Sequence, residues 1–421
     1  KLQCRNIWCS CAHSKCTASR MICLNIRNMK LQNDKYCLKT LNTKLLMTCL
    51  HYIHWSNIQP DTSMNKHKIH FHTFDAFRFI SFFIVFLNHI PIPDSSFLSY
   101  FSHSGGIGVA FFFVLSGFLI TYILLNEKLN TDKISLPNFF LRRILRIWPL
   151  FYAMLLLAYL TPCILNFLHL SSSSEGYKPN WLMSLLFLEN YKMIITNDFP
   201  NVSPLRVMWS LCIEEHFYII WGILLTYLPC KRIPVLIGTS ILIANITRWF
   251  FLQHGLPTLE LFSNIDYFAF GAIPAFIFIY KKQLITKLES TAGFVKYIVA
   301  VLAVILVFVL PQIPGKWMPL LYPSILGILF SSLIMFTLPQ NNGLKLKDEL
   351  WISKLGLYTY GLYLFHTIVI NLFSHIFTSA FEFNWLLISI LSLVVTIALS
   401  ALSYHFFEKQ FLKLKVHFYT E

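Results

Sequence analysis

From residue 74 onward the chain alternates long apolar runs with short breaks rich in Lys, Arg, Pro and Gly. About 20 consecutive apolar residues are what an α-helix needs to cross the hydrocarbon core of a bilayer. The pattern predicts ten such stretches, at 74–90, 106–125, 147–168, 209–228, 233–251, 262–280, 293–310, 319–338, 357–378 and 384–407. The run WLMSLLFL at 181–188 is too short to span and is expected as an interfacial or re-entrant piece. The expected fold is therefore all-α, a polytopic transmembrane helical bundle of about ten helices. Two stretches carry ionisable residues: Glu214, Glu215 and His216 in 209–228, and Asp266 in 262–280. Such groups belong against the bundle interior or a wet cavity, since lipid does not solvate them.

Composition agrees with the pattern. Apolar residues make up 56% of the chain and charged residues 13%, against roughly 25% charged residues in an ordinary soluble domain. Forty Phe and ten Trp suit helices that pack in lipid and anchor at its interfaces.

The net charge of +15 is read through topology. With the segment before the first span placed in the cytoplasm and counting from Met64, the inside segments hold 18 Lys plus Arg. The outside loops hold four, Lys178, Lys192, Arg206 and Lys316. Cytoplasmic loops carry the basic excess, so both termini are expected in the cytoplasm, with Arg78 near that side and His89 near the outer side. No basic stripe interleaved with aromatics lies outside the membrane loops, so no nucleic-acid partner is expected.

Residues 1–63 differ from the rest. They hold seven of the ten Cys, with nine Lys plus Arg and two Asp, and show no sustained period. They are expected to be a non-native or disordered Cys-rich leader, with the native start at Met64. A metal-binding tail is the rival reading, but Cys4, Cys9, Cys11, Cys16 and Cys23 include no CxxC pair, and no metal is expected. The membrane domain is expected over 64–408 and a short basic cytoplasmic tail over 409–421. About fourteen residues follow Phe407, so a fused extracytoplasmic esterase-like domain is not expected.

Arg78 and His89 are the first candidates for chemistry, because an ionisable residue inside a membrane span is expensive unless it is partnered and used. They are eleven residues apart in FDAFRFISFFIVFLNHI. At ~100° and ~1.5 Å per residue they leave one helix face about 16 Å apart. A second cluster is FFLRRILRIWP at 139–149, where Arg142, Arg143 and Arg146 gather on one side of a helix. It suits phosphates held bidentately, or a plain positive-inside stop anchored by Trp148. A third is WSLCIEEHFY at 209–218. Adjacent Glu214 and Glu215 could relay a proton or orient the His89 imidazole, or could simply be solvated at a helix start. In GGIGVAFFFVLSGFLI at 105–120 the glycines do not form a phosphate fingerprint. Ser116 and Gly117 permit close helix packing and could leave a slot for a thin ligand.

Taken in order, these phrases resemble the acyltransferase-3 family of membrane O-acyltransferases, mainly bacterial enzymes that acylate surface polysaccharides and other glycans. The resemblance runs from about Phe74 to Glu408 and includes LGLYTYGLYLFH at 355–366 and SYHFFEK at 403–409. Ala76, Asn88 and Gln410 depart from the family's usual residues. The resemblance implies transfer of an acyl group, often acetyl, from cytoplasmic acyl-CoA to a hydroxyl of an extracytoplasmic glycan, at the cell membrane. It implies that His89, Arg78, Glu214 and Glu215 serve catalysis, with His89 as general base or acyl carrier. Arg142, Arg143 and Arg146 would meet CoA, with the pantetheine arm passing Ser116 between the first two spans. Two other classes of function are also compatible with the residues. One is a proton-coupled transporter using Arg78, His89 and Asp266, although no internal repeat relates the halves; the other is a lipid-flipping or glycan-assembly accessory protein.

Overall fold

The computed structural model describes residue 71 and residues 73–167, 175–341, 343–380 and 384–418. The Cys-rich leader expected at 1–63 lies outside the described residues, as do Ser171–Ser174. The elements are helical: α1 (Thr73–His89), α2 (Ser99–Ser102), α3 (Gly105–Thr131), α4 (Leu136–Phe167), α5 (Trp181–Leu185), α6 (Glu189–Thr196), α7 (Ser203–Arg206), α8 (Trp209–Tyr227), α9 (Ile233–Gln253), α10 (Ile265–Tyr280), α11 (Lys282–Glu289), α12 (Gly293–Val309), α13 (Met318–Thr337), α14 (Trp351–Gly356), α15 (Thr359–Ala380), α16 (Trp385–Ser403) and α17 (Lys409–Leu414). A π-turn, Tyr404–Glu408, joins the last two.

Each of the ten predicted stretches contains a helix. Among the described residues, seven helices are long and apolar enough to cross a membrane; α10 with α11, bent by 97°, makes an eighth if the pair is one span. This is a multi-pass membrane protein. Its α1 and α8 stay below that threshold because α1 has 17 residues and α8 carries Glu214 and Glu215. The largest boundary difference is at α4, which starts at Leu136 rather than at 147 because the arginine-rich segment continues the helix.

The bundle is built around α3, which packs against α1, α8, α10 and α13. Its sequence is apolar around the whole circumference, the pattern of a helix buried on all sides, and 78% of its hydrophobic window is buried. Small residues let the neighbours come close. A Cβ on Gly117 would run into the backbone of Phe268, and one on Gly271 into the carbonyl of Val114, so α3 and α10 meet backbone to backbone. Phenylalanines fill the remaining space: Phe113 stacks on Phe268 at 4.7 Å, Phe268 on Phe217 at 4.0 Å, and Phe111 on Phe330 at 4.3 Å. The Phe content noted in the sequence is thus spent on stacked contacts between helices rather than on lipid alone.

The connection from residue 175 to α8 folds inward. Phe187 stacks on Phe151 in the middle of α4 at 4.1 Å, and the Tyr152 hydroxyl donates to the Leu185 carbonyl at 3.1 Å. Irregular backbone at membrane depth is tolerated only where protein groups satisfy it. Here the side chain of Asn180 caps α5 by accepting from Leu182 and Met183. The buried Glu189 carboxylate accepts from the Tyr177 hydroxyl at 3.0 Å, the Asn180 amide at 3.3 Å and the Ser184 hydroxyl at 2.7 Å. Burial, and then the Glu189 charge, push the Tyr177 phenol above its ordinary range, so it remains a donor. The run 181–188, expected as an interfacial or re-entrant piece, forms the short helix α5 and the turn after it, packed against α4 through Phe187 and Leu185.

The α3–α10 contact is the tightest in the bundle, and Gly271→Val should disturb it most. Overpacking of this kind costs about 1–3 kcal/mol. A clear fall in the thermal midpoint of the detergent-purified protein is expected, whereas Gly238→Val, which meets nothing within 4 Å, should leave it unchanged.

Candidate functional site

Two groups of ionisable side chains lie at the two ends of α1. The antiparallel neighbour α3 sets their depth: Gly105 abuts the Asn88 side chain, and Phe118 meets Phe74 at 4.9 Å. Ser116 is eleven residues beyond Gly105, about 16 Å along the axis, and so stands level with Arg78. Its hydroxyl donates to Glu214 Oε1 at 3.0 Å, and the Tyr218 hydroxyl donates to Glu214 Oε2 at 2.9 Å. Glu214 therefore belongs to the Arg78 end.

The rest of that group converges on the same depth. Arg78 is paired with Asp75, one turn earlier on α1. Arg146 lies within electrostatic range of Arg78, Glu214 and Glu408, and Arg143 within range of Glu214 and Glu215. The Tyr360 hydroxyl donates to the Ile147 carbonyl at 2.7 Å, and the Ser403 hydroxyl to Glu408 at 3.1 Å in the π-turn. Arg146 is exposed and Arg143 half-buried, with its guanidinium 6.0 Å from the centre of the Phe139 ring. Oxygen Oε1 of Glu215 is buried without a hydrogen-bond partner. Guanidinium groups set against carboxylates and phenols can hold an anionic chain and respond to its charge.

At the other end, His89 does not meet Glu214 or Glu215. The expectation that a carboxylate from WSLCIEEHFY orients this imidazole is corrected by depth. Trp209 touches Phe113, eight residues below Gly105, so α8 begins about 12 Å inside the His89 end. The inward fold of the preceding connection is what lowers it. The neighbour of His89 is instead His366 of α15, their rings 4.9 Å apart and nearly perpendicular at 80°. Nδ1 of His89 donates to the Val85 carbonyl at 2.9 Å, which leaves the lone pair on Nε2. Nδ1 of His366 donates to the Tyr363 carbonyl at 2.7 Å. The Tyr363 hydroxyl in turn donates to the Val207 carbonyl at 2.9 Å and lies 2.7 Å from the Ser210 hydroxyl, which ties α15 to the start of α8. Exposed Arg206 is within electrostatic range of His89.

Sequence reasoning passed over His366. The signal was present, since an imidazole inside the apolar stretch 357–378 meets the criterion that singled out His89. It was absorbed into a mostly apolar phrase.

Arg142 was expected beside Arg146 at a phosphate. The structure turns it inward instead. Its Nη2 pairs with Glu127 at 3.1 Å and its Nη1 donates to the Phe418 carbonyl at 2.6 Å, while Glu127 also accepts from the Ser135 amide at 2.8 Å. These contacts clamp the α3–α4 turn to the end of the described tail. Asp266 is likewise engaged, taking two hydrogen bonds from Arg248 at 2.8 and 2.9 Å, away from the His89 pair. Among the described residues no group of three or more His, Cys, Asp or Glu is placed to hold a metal. The described cysteines, Cys163, Cys212 and Cys230, are free thiols.

Comparison with known proteins adds a family. A family model described as an acyltransferase domain matches residues 71–405. Over 332 residues the chain is 29% identical to the putative peptidoglycan O-acetyltransferase YrhL of Bacillus subtilis (strain 168), covering 73% of this chain and 50% of that protein. It is 27% identical over 326 residues to the peptidoglycan O-acetyltransferase OatA of Listeria monocytogenes serovar 1/2a, covering 72% of this chain and 51% of that protein. The O-acetyltransferase OatA of Staphylococcus aureus (strain NCTC 8325 / PS 47) is 34% identical over 151 residues, 34% of this chain and 24% of that protein. No solved structure matches. The chain thus spans about half the length of the first two of these curated relatives.

Removing one member of a buried ion pair typically costs about 3–5 kcal/mol, because the other charge is left uncompensated. Arg142→Gln and Glu127→Gln are each expected to lower the thermal midpoint strongly. The double variant should lose much less than the sum, and simple additivity would show that the two do not act as a pair.

Proposed function

Because the chain belongs to the acyltransferase-3 family, we propose that it transfers an acyl group, acetyl in the first instance, from cytoplasmic acyl-CoA to a hydroxyl of an extracytoplasmic glycan. The relatives named as peptidoglycan O-acetyltransferases point to a peptidoglycan-type acceptor. The observation that carries the reading is the spacing of two polar groups along α1. One is built on Arg78, Arg143 and Arg146; the other on His89. An extended phosphopantetheine arm reaches over a distance of the same order as the roughly 16 Å between them.

In this reading the arginine-rich end faces the cytoplasm, as the basic excess in its loops suggests. Arg143 and Arg146 take the CoA phosphates, and the arm runs past Ser116 and Arg78 toward His89, which requires α1 and α3 to part where Gly108 abuts the Ser81 carbonyl. Arg78 stays protonated, so it guides or neutralises and does not act as a base. Glu214, fixed by Ser116 and Tyr218, balances the arginines, with Glu215 beside it. Arg142, held by Glu127, stands outside the donor site. At the outer end the Nε2 lone pair of His89 takes the proton of the acceptor hydroxyl, whose oxygen attacks the acyl carbonyl. Transient acylation of the same nitrogen is the chemical variant of this step. The acceptor approaches past Arg206 and the connection 175–208, in a multi-pass protein of the cell membrane.

The test is transfer by the purified protein, with acetyl-CoA as donor and a peptidoglycan oligosaccharide as acceptor. His89→Ala should reduce transfer at least about 100-fold with the protein still folded in detergent. Joint Arg143→Gln and Arg146→Gln should raise the apparent KM for acetyl-CoA about tenfold or more, the effect of losing ~1.4 kcal/mol of binding. Arg142→Gln should leave that KM unchanged in whatever protein folds. Solute transport in proteoliposomes with no acyl transfer would instead support the transporter reading.

A further inference from the structure

We infer that His366 is a positioning residue that shares with His89 the proton taken from the acceptor hydroxyl. This rests on the transferase reading above and adds to it a residue outside the expected set. In both imidazoles Nδ1 faces a backbone carbonyl, Val85 for His89 and Tyr363 for His366. A carbonyl only accepts, so in the neutral rings Nδ1 carries the hydrogen and Nε2 the lone pair. Nε2 of His366 is buried and has no hydrogen-bond partner, and the residue is 0% exposed. A buried acceptor left unsatisfied is unfavourable and calls for a donor. Among the described residues the imidazole in contact with it is that of His89, the ring centres 4.9 Å apart.

The resting pair therefore has two acceptors and no donor between them. One added proton changes that. When the acceptor O–H bond breaks and His89 Nε2–H forms, the new N–H can donate to His366 Nε2, and the positive charge is spread over two rings. The acceptor oxygen then bonds to the acyl carbon, and the C–S bond of the thioester breaks with its electron pair on sulfur. The shared proton passes to the departing thiolate. His366 does not touch the substrate in this scheme and acts through His89.

The surroundings hold the pair in place. Phe82 and Tyr363 pack on the His366 ring at 5.8 and 5.7 Å, and Tyr363 is anchored by Val207 and Ser210. A ring kept only for packing would not need its unsatisfied nitrogen, since phenylalanine fills the same space with no polar atom to satisfy.

The experiment compares His366→Phe with His366→Gln, whose side-chain oxygen restores an acceptor near the Nε2 position. His366→Phe should lower kcat for acetyl transfer about 100-fold, with the KM values for acetyl-CoA and for the glycan unchanged and the thermal midpoint preserved. His366→Gln should recover at least about tenfold of that loss. Wild-type kcat in His366→Phe, or a Phe variant more active than the Gln variant, would overturn the proposal and assign the ring to packing. The second measurement is 15N NMR of the imidazole nitrogens in the unsubstituted protein, where His366 should show a protonated Nδ1 and a bare Nε2. An Nε2–H tautomer would overturn the proposal whatever the variants do. This measurement needs no turnover, so it decides the pairing separately from the transferase reading, for which wild-type transfer is the control.

Discussion

Hydrocarbon does not solvate charge, so each ionisable side chain within the bundle must find its partner in protein, and the partner's position fixes the helices that carry the two. Arg78 is held by Asp75 within α1. Arg142 is held by Glu127 across the α3–α4 turn, and Arg248 by Asp266 between α9 and α10. Glu214 is held by the Ser116 and Tyr218 hydroxyls between α3 and α8. Apolar stacking gives the bundle most of its contact, but it tolerates sliding and rotation. The contacts that join two helices, Arg142–Glu127, Arg248–Asp266 and Ser116–Glu214, do not, because a shift of one turn would leave a charge bare.

A consequence is that the ionisable groups sort into two depths. Near one end, three arginines face carboxylates and phenols around a half-open cluster. Near the other, two histidines sit beside the aromatic rings of Phe82 and Tyr363. Between them α1 and α3 present mainly Phe, Val, Ser and Gly, with backbones close enough that Gly108 would place a Cβ 2.5 Å from the Ser81 carbonyl. Such a seam is closed to a hydrated ion, and a thin chain enters it only where α1 and α3 part. The inward fold of 175–208 adds to this division, because it lowers the start of α8 and moves its glutamates from the histidine end to the arginine end.

Much of the fold was legible in the sequence because span length and apolar period respond to the bilayer alone. Each of the ten stretches holds a helix, and 181–188 holds only the short helix α5. What the sequence withheld was depth. Counting from the presumed outer end of 209–228 puts Glu214 near His89, and only the contacts Trp209–Phe113 and Ser116–Glu214 reveal the offset. Partner choice was also hidden. Arg142 and Arg146 look equivalent by helical spacing, but Glu127, fifteen residues earlier, claims one and leaves the other exposed. His366 was visible as an imidazole in an apolar run, yet its pairing with His89 joins residues far apart in the chain, which no local pattern reports.

Sidedness distinguishes transfer across the bilayer from transfer on one face. The protein is reconstituted with uniform orientation into sealed vesicles, with acetyl-CoA labelled on the acetyl group supplied only at the arginine-rich face and the glycan acceptor only at the histidine face. Label should accumulate on the acceptor while CoA stays on the donor side, and His89→Ala vesicles should give none. Labelling only when donor and acceptor share one compartment would contradict a two-ended site.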